Sequence, residues 1–120
     1  MKEQVYEMLK MLPKGKVITY GQIAEYIGNK KLARVVGNIL HNNPNENEYP
    51  CYKVVDRKGN LSKHFAFGGI DKQKEKLENE GIKVKDYNVD LKKYQISSDF
   101  IINKICLNKW IYKYNYIKKE

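Results

Sequence analysis

The chain has 120 residues, enough for one hydrophobic core and too few for two ordinary domains. Lys and Arg number 23 against 14 Asp and Glu, a formal charge of +9 that favours a polyanionic partner, nucleic acid foremost; a solvated lysine-rich surface is the plain alternative. Two cysteines are too few for a disulfide framework, and no apolar run approaches a membrane span or a signal peptide, so a cytoplasmic setting without membrane contact is expected.

Val5, Met8, Leu9 and Leu12 recur at helical spacing, so an amphipathic helix opens the chain and ends at Pro13 and Gly15. A short strand-like run, residues 16–19, leads into Thr19-Tyr20-Gly21-Gln22, which has the form of a capping box. The second helix that follows stops at Gly28. Leu32, Val35, Val36, Ile39 and Leu40 then form the apolar stripe of a third helix ending near His41. Two short helices joined by a tight turn have the form of a helix-turn-helix.

The opposite face of the third helix carries Ala33, Arg34, Gly37, Asn38 and His41. Ala33 and Gly37 stand four apart and leave a shallow strip beside Arg34 and Asn38, which suits a phosphate-lined groove; equally, Gly37 would serve close packing on a neighbouring helix and Arg34 would simply be solvated. After Asn43-Pro44 and a polar loop comes a strand carrying Cys51, and Asp56-Arg57-Lys58-Gly59-Asn60 is a turn signal that folds back toward Leu61 as a basic wing. Gly68-Gly69 reads as a flexible joint before a helix from about Asp71 to Glu80, capped by Gly81, and Val84, Val89 and Leu91 suggest short extended pieces. Residues 96–120 mix Ile101, Ile105, Trp110 and several tyrosines with lysines, a content that suits packing on the body or a partner-binding segment.

The expected fold is therefore mainly α: a winged helix-turn-helix-like single domain over residues 1–95 with a small β element, followed by a lysine- and aromatic-rich extension over 96–120. Neither Cys51 nor Cys106 has a second Cys or a His at ligand spacing, and His41 and His64 stand apart, so no metal and no cofactor are expected.

The order of Pro13-Lys14-Gly15, Thr19-Tyr20-Gly21-Gln22-Ile23-Ala24, Ala33-Arg34-Val35-Val36-Gly37, Asn43-Pro44, Pro50-Cys51, Val54-Val55, Gly68-Gly69 and Glu80-Gly81 resembles the DNA-binding catalytic domain of the O6-alkylguanine-DNA alkyltransferases and the related alkyltransferase-like proteins, over residues 3–94. That resemblance implies a monomer acting on double-stranded DNA that contains O6-alkylguanine. Arg34 would enter the base stack from the minor groove, and Tyr20 would crowd the 3′ phosphate while the nucleotide rotates out. Gln22, Ala33, Gly37 and Asn38 would complete the DNA surface. Asn43 would brace the turn that holds the nucleophile Cys51, and Pro50, Val54, Phe67 and Gly68 would shape the pocket for the flipped base. Flipping is required because O6 lies inside the stack, at a cost of a few kcal/mol.

Two departures bear on chemistry. Cys51 and Glu80 match the transferases, but Tyr52 stands where they carry the His that activates the thiol, and a phenol with a pKa near 10 is a poor proton acceptor at pH 7. Ala66-Phe67-Gly68-Gly69 looks more like the alkyltransferase-like branch, which binds and flips the lesion without a cysteine. Two readings result: a single-turnover transferase using Cys51, or a non-enzymatic damage sensor that recruits another repair protein. A winged-helix regulator reading the major groove is a third, disfavoured by the shortage of long polar side chains on the third helix.

Overall fold

The structure, a computed structural model, describes residues 2–63, 65–97 and 99–101. His64, Cys106 and the remainder of the extension, residues 102–120, lie outside the described residues. Among the described residues no helix is long and apolar enough to cross a membrane.

Helix α1, Lys2–Met11, buries Val5, Met8 and Leu9 on the face their spacing predicts. Strand β1, Ile18–Thr19, runs directly into α2, Tyr20–Tyr26. The junction is the expected capping box: Thr19 Oγ1 accepts from the Gln22 N–H at 3.2 Å, and Gln22 Oε1 accepts from the Thr19 N–H at 3.0 Å. A single turn, Lys30–Leu32, leads into α3, Ala33–His41. Here Val36 and Leu40 are buried, whereas Val35 is 38% exposed. Consecutive helical residues diverge by about 100°, so with Val36 facing the core Val35 turns toward solvent.

Strand β2, Val54–Val55, pairs parallel with β1, Ile18 opposite Val54 and Thr19 opposite Val55. Parallel neighbours need a crossover, and α2 with α3 supplies it. Alternation along the two strands then divides the interior. Ile18 and Val54 join Val5, Met8, Leu9 and Ile23 in one cluster, while Val17 and Val55 join Leu61, Leu77, Ile82 and Val89 in another. Beyond the sheet, Ile96 donates its N–H to Val17 O at 2.8 Å, and Ile96 and Ile101 are buried in the first cluster.

The extended pieces at Val84 and Val89 are present, and other local expectations change. Cys51 lies in a single 3₁₀ turn, Cys51–Lys53, and not on a strand, because Pro50 bends the chain just before it. The basic turn closes between Asp56 and Asn60, yet the segment after it does not pair with β2. Instead Leu61 N–H donates to Tyr87 O at 3.0 Å and Val89 N–H to Gly59 O at 2.9 Å, so the turn leans on a hairpin of β3, Val84–Lys85, and β4, Asn88–Val89. That hairpin turns through Asp86 and Tyr87, both at positive φ, without the Asn-Gly pair that would advertise it. Leu91 opens a short helix, α5, Leu91–Tyr94, because the Asp90 carboxylate accepts from Lys92 N–H at 3.0 Å.

Helix α4, Gly69–Asn79, starts two residues before Asp71, and the glycine pair ahead of it is a fixed turn. Gly69 N–H donates to Phe65 O at 3.0 Å. Gly68 sits at φ +114, where a Cβ would come within 2.5 Å of Lys72 Cγ, so only glycine fits. The architecture is mainly α with a small β element. Thr19→Ala removes one half of the capping box directly and is expected to cost about 1 kcal/mol. Urea unfolding should show a lower midpoint with an unchanged slope, and an unshifted midpoint would contradict the assignment.

Candidate nucleic-acid and acceptor site

The helix pair and the cysteine turn meet at an open cleft of about 890 Å³. One side is the polar face of α3, with Ala33, Arg34, Gly37, Asn38 and His41 all lining it. Arg34, Asn38 and His41 are exposed, and a Cβ placed on Gly37 would meet nothing within 4 Å. No neighbouring helix therefore explains the small residue, and the strip faces open space. Across the cleft stand Arg57, Lys58, Asn60 and Ser62. The two basic rims flank a floor that includes Tyr20, Cys51 and Val54.

Local chemistry fixes Cys51. Pro50 has φ −73 and ψ 73, the geometry of an inverse γ-turn, and Cys51 N–H donates to Tyr49 O at 2.7 Å. Asn43, itself buried, donates Nδ2–H to the same Tyr49 carbonyl at 2.7 Å while its Oδ1 accepts from Asn45 N–H at 3.0 Å. Cys51 is 6% exposed, and burial raises its pKa above the ordinary thiol value even though Asn43 pulls the other way.

Tyr52 points into a charged cluster. Its hydroxyl donates to Glu80 Oε2. Glu80 Oε1 accepts from the Gly15 N–H at 3.0 Å and pairs with Lys53 Nζ at 3.0 Å, and Lys53, only 3% exposed, also donates to Pro13 O at 2.7 Å. Burial and then the Glu80 bond push the Tyr52 phenol far above its ordinary value. Burial alone would raise Glu80, but the bonds from Tyr52, the Gly15 amide and Lys53 outweigh it and hold the carboxyl below its usual range. Neither group is available as a proton acceptor near neutrality.

The remaining expected site residues divide. Tyr20 is half-buried, with burial raising its pKa and a bond to Ser62 lowering it. Gln22 is 8% exposed, and its amide is committed inside the protein, to Thr19 and, through Nε2–H, to Ile96 O at 2.9 Å; it holds the helix start and does not reach the surface. Phe65 and Ala66 line the cleft, with Phe67 packed edge-on against Phe65 at 6.0 Å behind them. Gly68 shapes the helix start, and Pro50 shapes the bend. Sequence reasoning missed Lys53, Ser62 and Gln73. A buried lysine carries no sequence signal beyond lying one turn from Pro50, and the other two look like ordinary polar residues.

The family model described as the DNA-binding domain of 6-O-methylguanine DNA methyltransferase matches residues 1–82. A DNA base-flipping protein of Vibrio parahaemolyticus is 39% identical over 93 residues, covering 77% of this chain and 91% of that one. A bifunctional methyltransferase/endonuclease of Picrophilus torridus is 36% identical over 94 residues, covering 78% of this chain, which spans only 31% of that longer protein. In three dimensions the chain is similar to S. pombe Atl1, solved in complex with damaged DNA containing O6-carboxymethylguanine, with a TM-score of 0.73 and 33% identity over 80% of this chain and 94% of that one. A helix pair set against a buried cysteine turn defines an alkyltransferase-type DNA-binding domain. The chain belongs to the 6-O-methylguanine DNA methyltransferase family.

Because Glu80 has a lowered pKa when folded, it contributes stability in full above the ordinary carboxylate value of about 4.3, and that contribution disappears as pH falls through the lower folded value. Glu80→Gln should be less stable than the parent at neutral pH and should show a shallower loss on acidification. Thermal melts across the acid range check this; two parallel acid limbs would contradict it.

Proposed function

We propose that the protein binds duplex DNA through the minor groove, everts an O6-alkylguanine into the cleft and takes the alkyl group onto Cys51, once per molecule. The observation that carries this is the convergence of Cys51 and Tyr20 with Ala33, Arg34 and Gly37 on one cleft large enough for a purine and its adduct. The Vibrio base-flipping protein and the S. pombe complex with damaged DNA support the lesion-binding part of this reading. Ala33 and Gly37 let the DNA backbone approach α3, Arg34 fills the vacated stack, and Tyr20 presses on the adjoining phosphate as the nucleotide turns. Arg57 and Lys58 contact phosphates from the other rim. The working form is a monomer on double-stranded DNA, with residues 1–95 as the DNA-binding domain and 96–120 as an extension.

In the transfer, the Cys51 sulfur attacks the alkyl carbon. A carbon–sulfur bond forms, the bond from that carbon to O6 breaks, and its electrons pass into the purine, which takes up one proton and leaves as guanine. The step needs thiolate, of which even a free cysteine has only a few per cent at pH 7. Burial lowers that fraction here, and Tyr52 is engaged by Glu80 and cannot accept the proton. Transfer is therefore slow at neutral pH. The same two facts favour a second reading, in which the protein holds the flipped lesion without reacting and recruits a repair partner.

Binding should fall steeply with salt, and Arg34→Ala should weaken affinity for lesion DNA and abolish eversion of the base. A flat salt response in the parent would rule out the binding mode. For the chemistry, intact-protein mass after mixing with O6-methylguanine DNA should show one added methyl group on Cys51, faster as pH rises toward the thiol value and faster again in Tyr52→His. Cys51→Ser should show none. If Cys51 stays unmodified at every pH while lesion binding persists, the sensor reading stands.

A further inference from the structure

Gln73 comes from the middle of α4, is 1% exposed and lines the cleft. Its one carboxamide links the turn that carries Cys51 to the segment at Ser62. Nε2–H donates to Tyr52 O at 3.1 Å and to Val54 O at 3.0 Å, fastening the turn that carries Cys51. Oε1 accepts from Ser62 N–H at 2.8 Å, fastening the segment that follows the basic turn. Both donors and the acceptor of the side chain are in use, and glutamine alone combines them on one plane at this reach.

We propose that Gln73 is a positioning residue that sets the spacing between the turn carrying Cys51 and the segment at Ser62, and thereby the selectivity of the cleft for an alkylated base over an unmodified one. The inference rests on the proposed lesion-binding function. Three converging bonds in a buried site fix a distance far more sharply than apolar packing does. A base entering the cleft then meets a slot of defined width between the cysteine turn and the Ser62 segment, above the floor of Cys51 and Tyr20. Gln73 is uncharged and 1% exposed, whereas Arg34, Arg57 and Lys58 are exposed, so it is not itself a contact to phosphate.

The test compares affinity for an O6-methylguanine duplex with that for the same undamaged duplex, in the parent, Gln73→Glu and Gln73→Lys. Gln73→Glu keeps an acceptor for Ser62 and loses both donors to the cysteine turn, whereas Gln73→Lys keeps donors and loses the acceptor. Each should lower the lesion-to-undamaged ratio by about ten-fold, the scale on which small misplacement of a positioned group is felt, with undamaged affinity nearly unchanged. Melting temperatures identify folded variants, and one folded variant is enough for the comparison. A fall in both affinities by the same factor, or a parental ratio in a folded variant, overturns the role of Gln73. A parent without lesion preference overturns the functional reading itself.

Discussion

Two residues of β1 against two of β2 hold the molecule in register. The pairing of Ile18 with Val54 and Thr19 with Val55 is only a four-residue contact, but it ties chain segments 36 residues apart and forces α2 and α3 to cross over between them. Because strand side chains alternate, the same contact decides which residues enter which cluster. It also decides the site. Thr19 caps α2 and places Tyr20 in its first turn, while Val54 follows the turn that carries Cys51; pairing the strands puts Tyr20 and Cys51 on one floor.

Glu80 is a second hub, and it engages Tyr52, the residue next to Cys51 in the chain. Burial of a carboxylate is costly unless it is paired and hydrogen-bonded, and here Lys53, the Gly15 amide and Tyr52 together satisfy it. That satisfaction has a chemical consequence. With Tyr52 held as a donor, the cysteine has no neighbouring base in the direction of Glu80. Asn43 positions the sulfur without ionising it, and burial keeps it neutral. The site is well organised for holding a guest and poorly organised for generating a thiolate.

Much of this was legible in the sequence, and the features that were missed have identifiable causes. Helix α1 and the capping box were readable because their signals are local: a 3.6-residue apolar spacing and a Thr-x-x-Gln at a helix start. The polar face of α3 followed from the same periodicity. Val35 misled because a β-branched apolar residue beside Val36 looks like core, and the pairing of the extended pieces at Val84 and Val89 went unread because their turn, Asp86-Tyr87, lacks the Asn-Gly pair that marks a hairpin. Cys51 on a strand was a plausible reading of Val54-Val55, overturned by the bend at Pro50. Lys53, Ser62 and Gln73 were invisible because their roles consist of contacts between distant segments, which no local pattern encodes.

The central claim is that an alkylated guanine leaves the helix and enters the cleft floored by Cys51 and Tyr20. The direct measurement is the fluorescence of a base analogue stacked beside O6-methylguanine in a duplex titrated with the parent protein. Eversion predicts a rise in emission that saturates with binding and is absent from the undamaged duplex. Saturable binding to the lesion duplex with no change in emission would contradict the account.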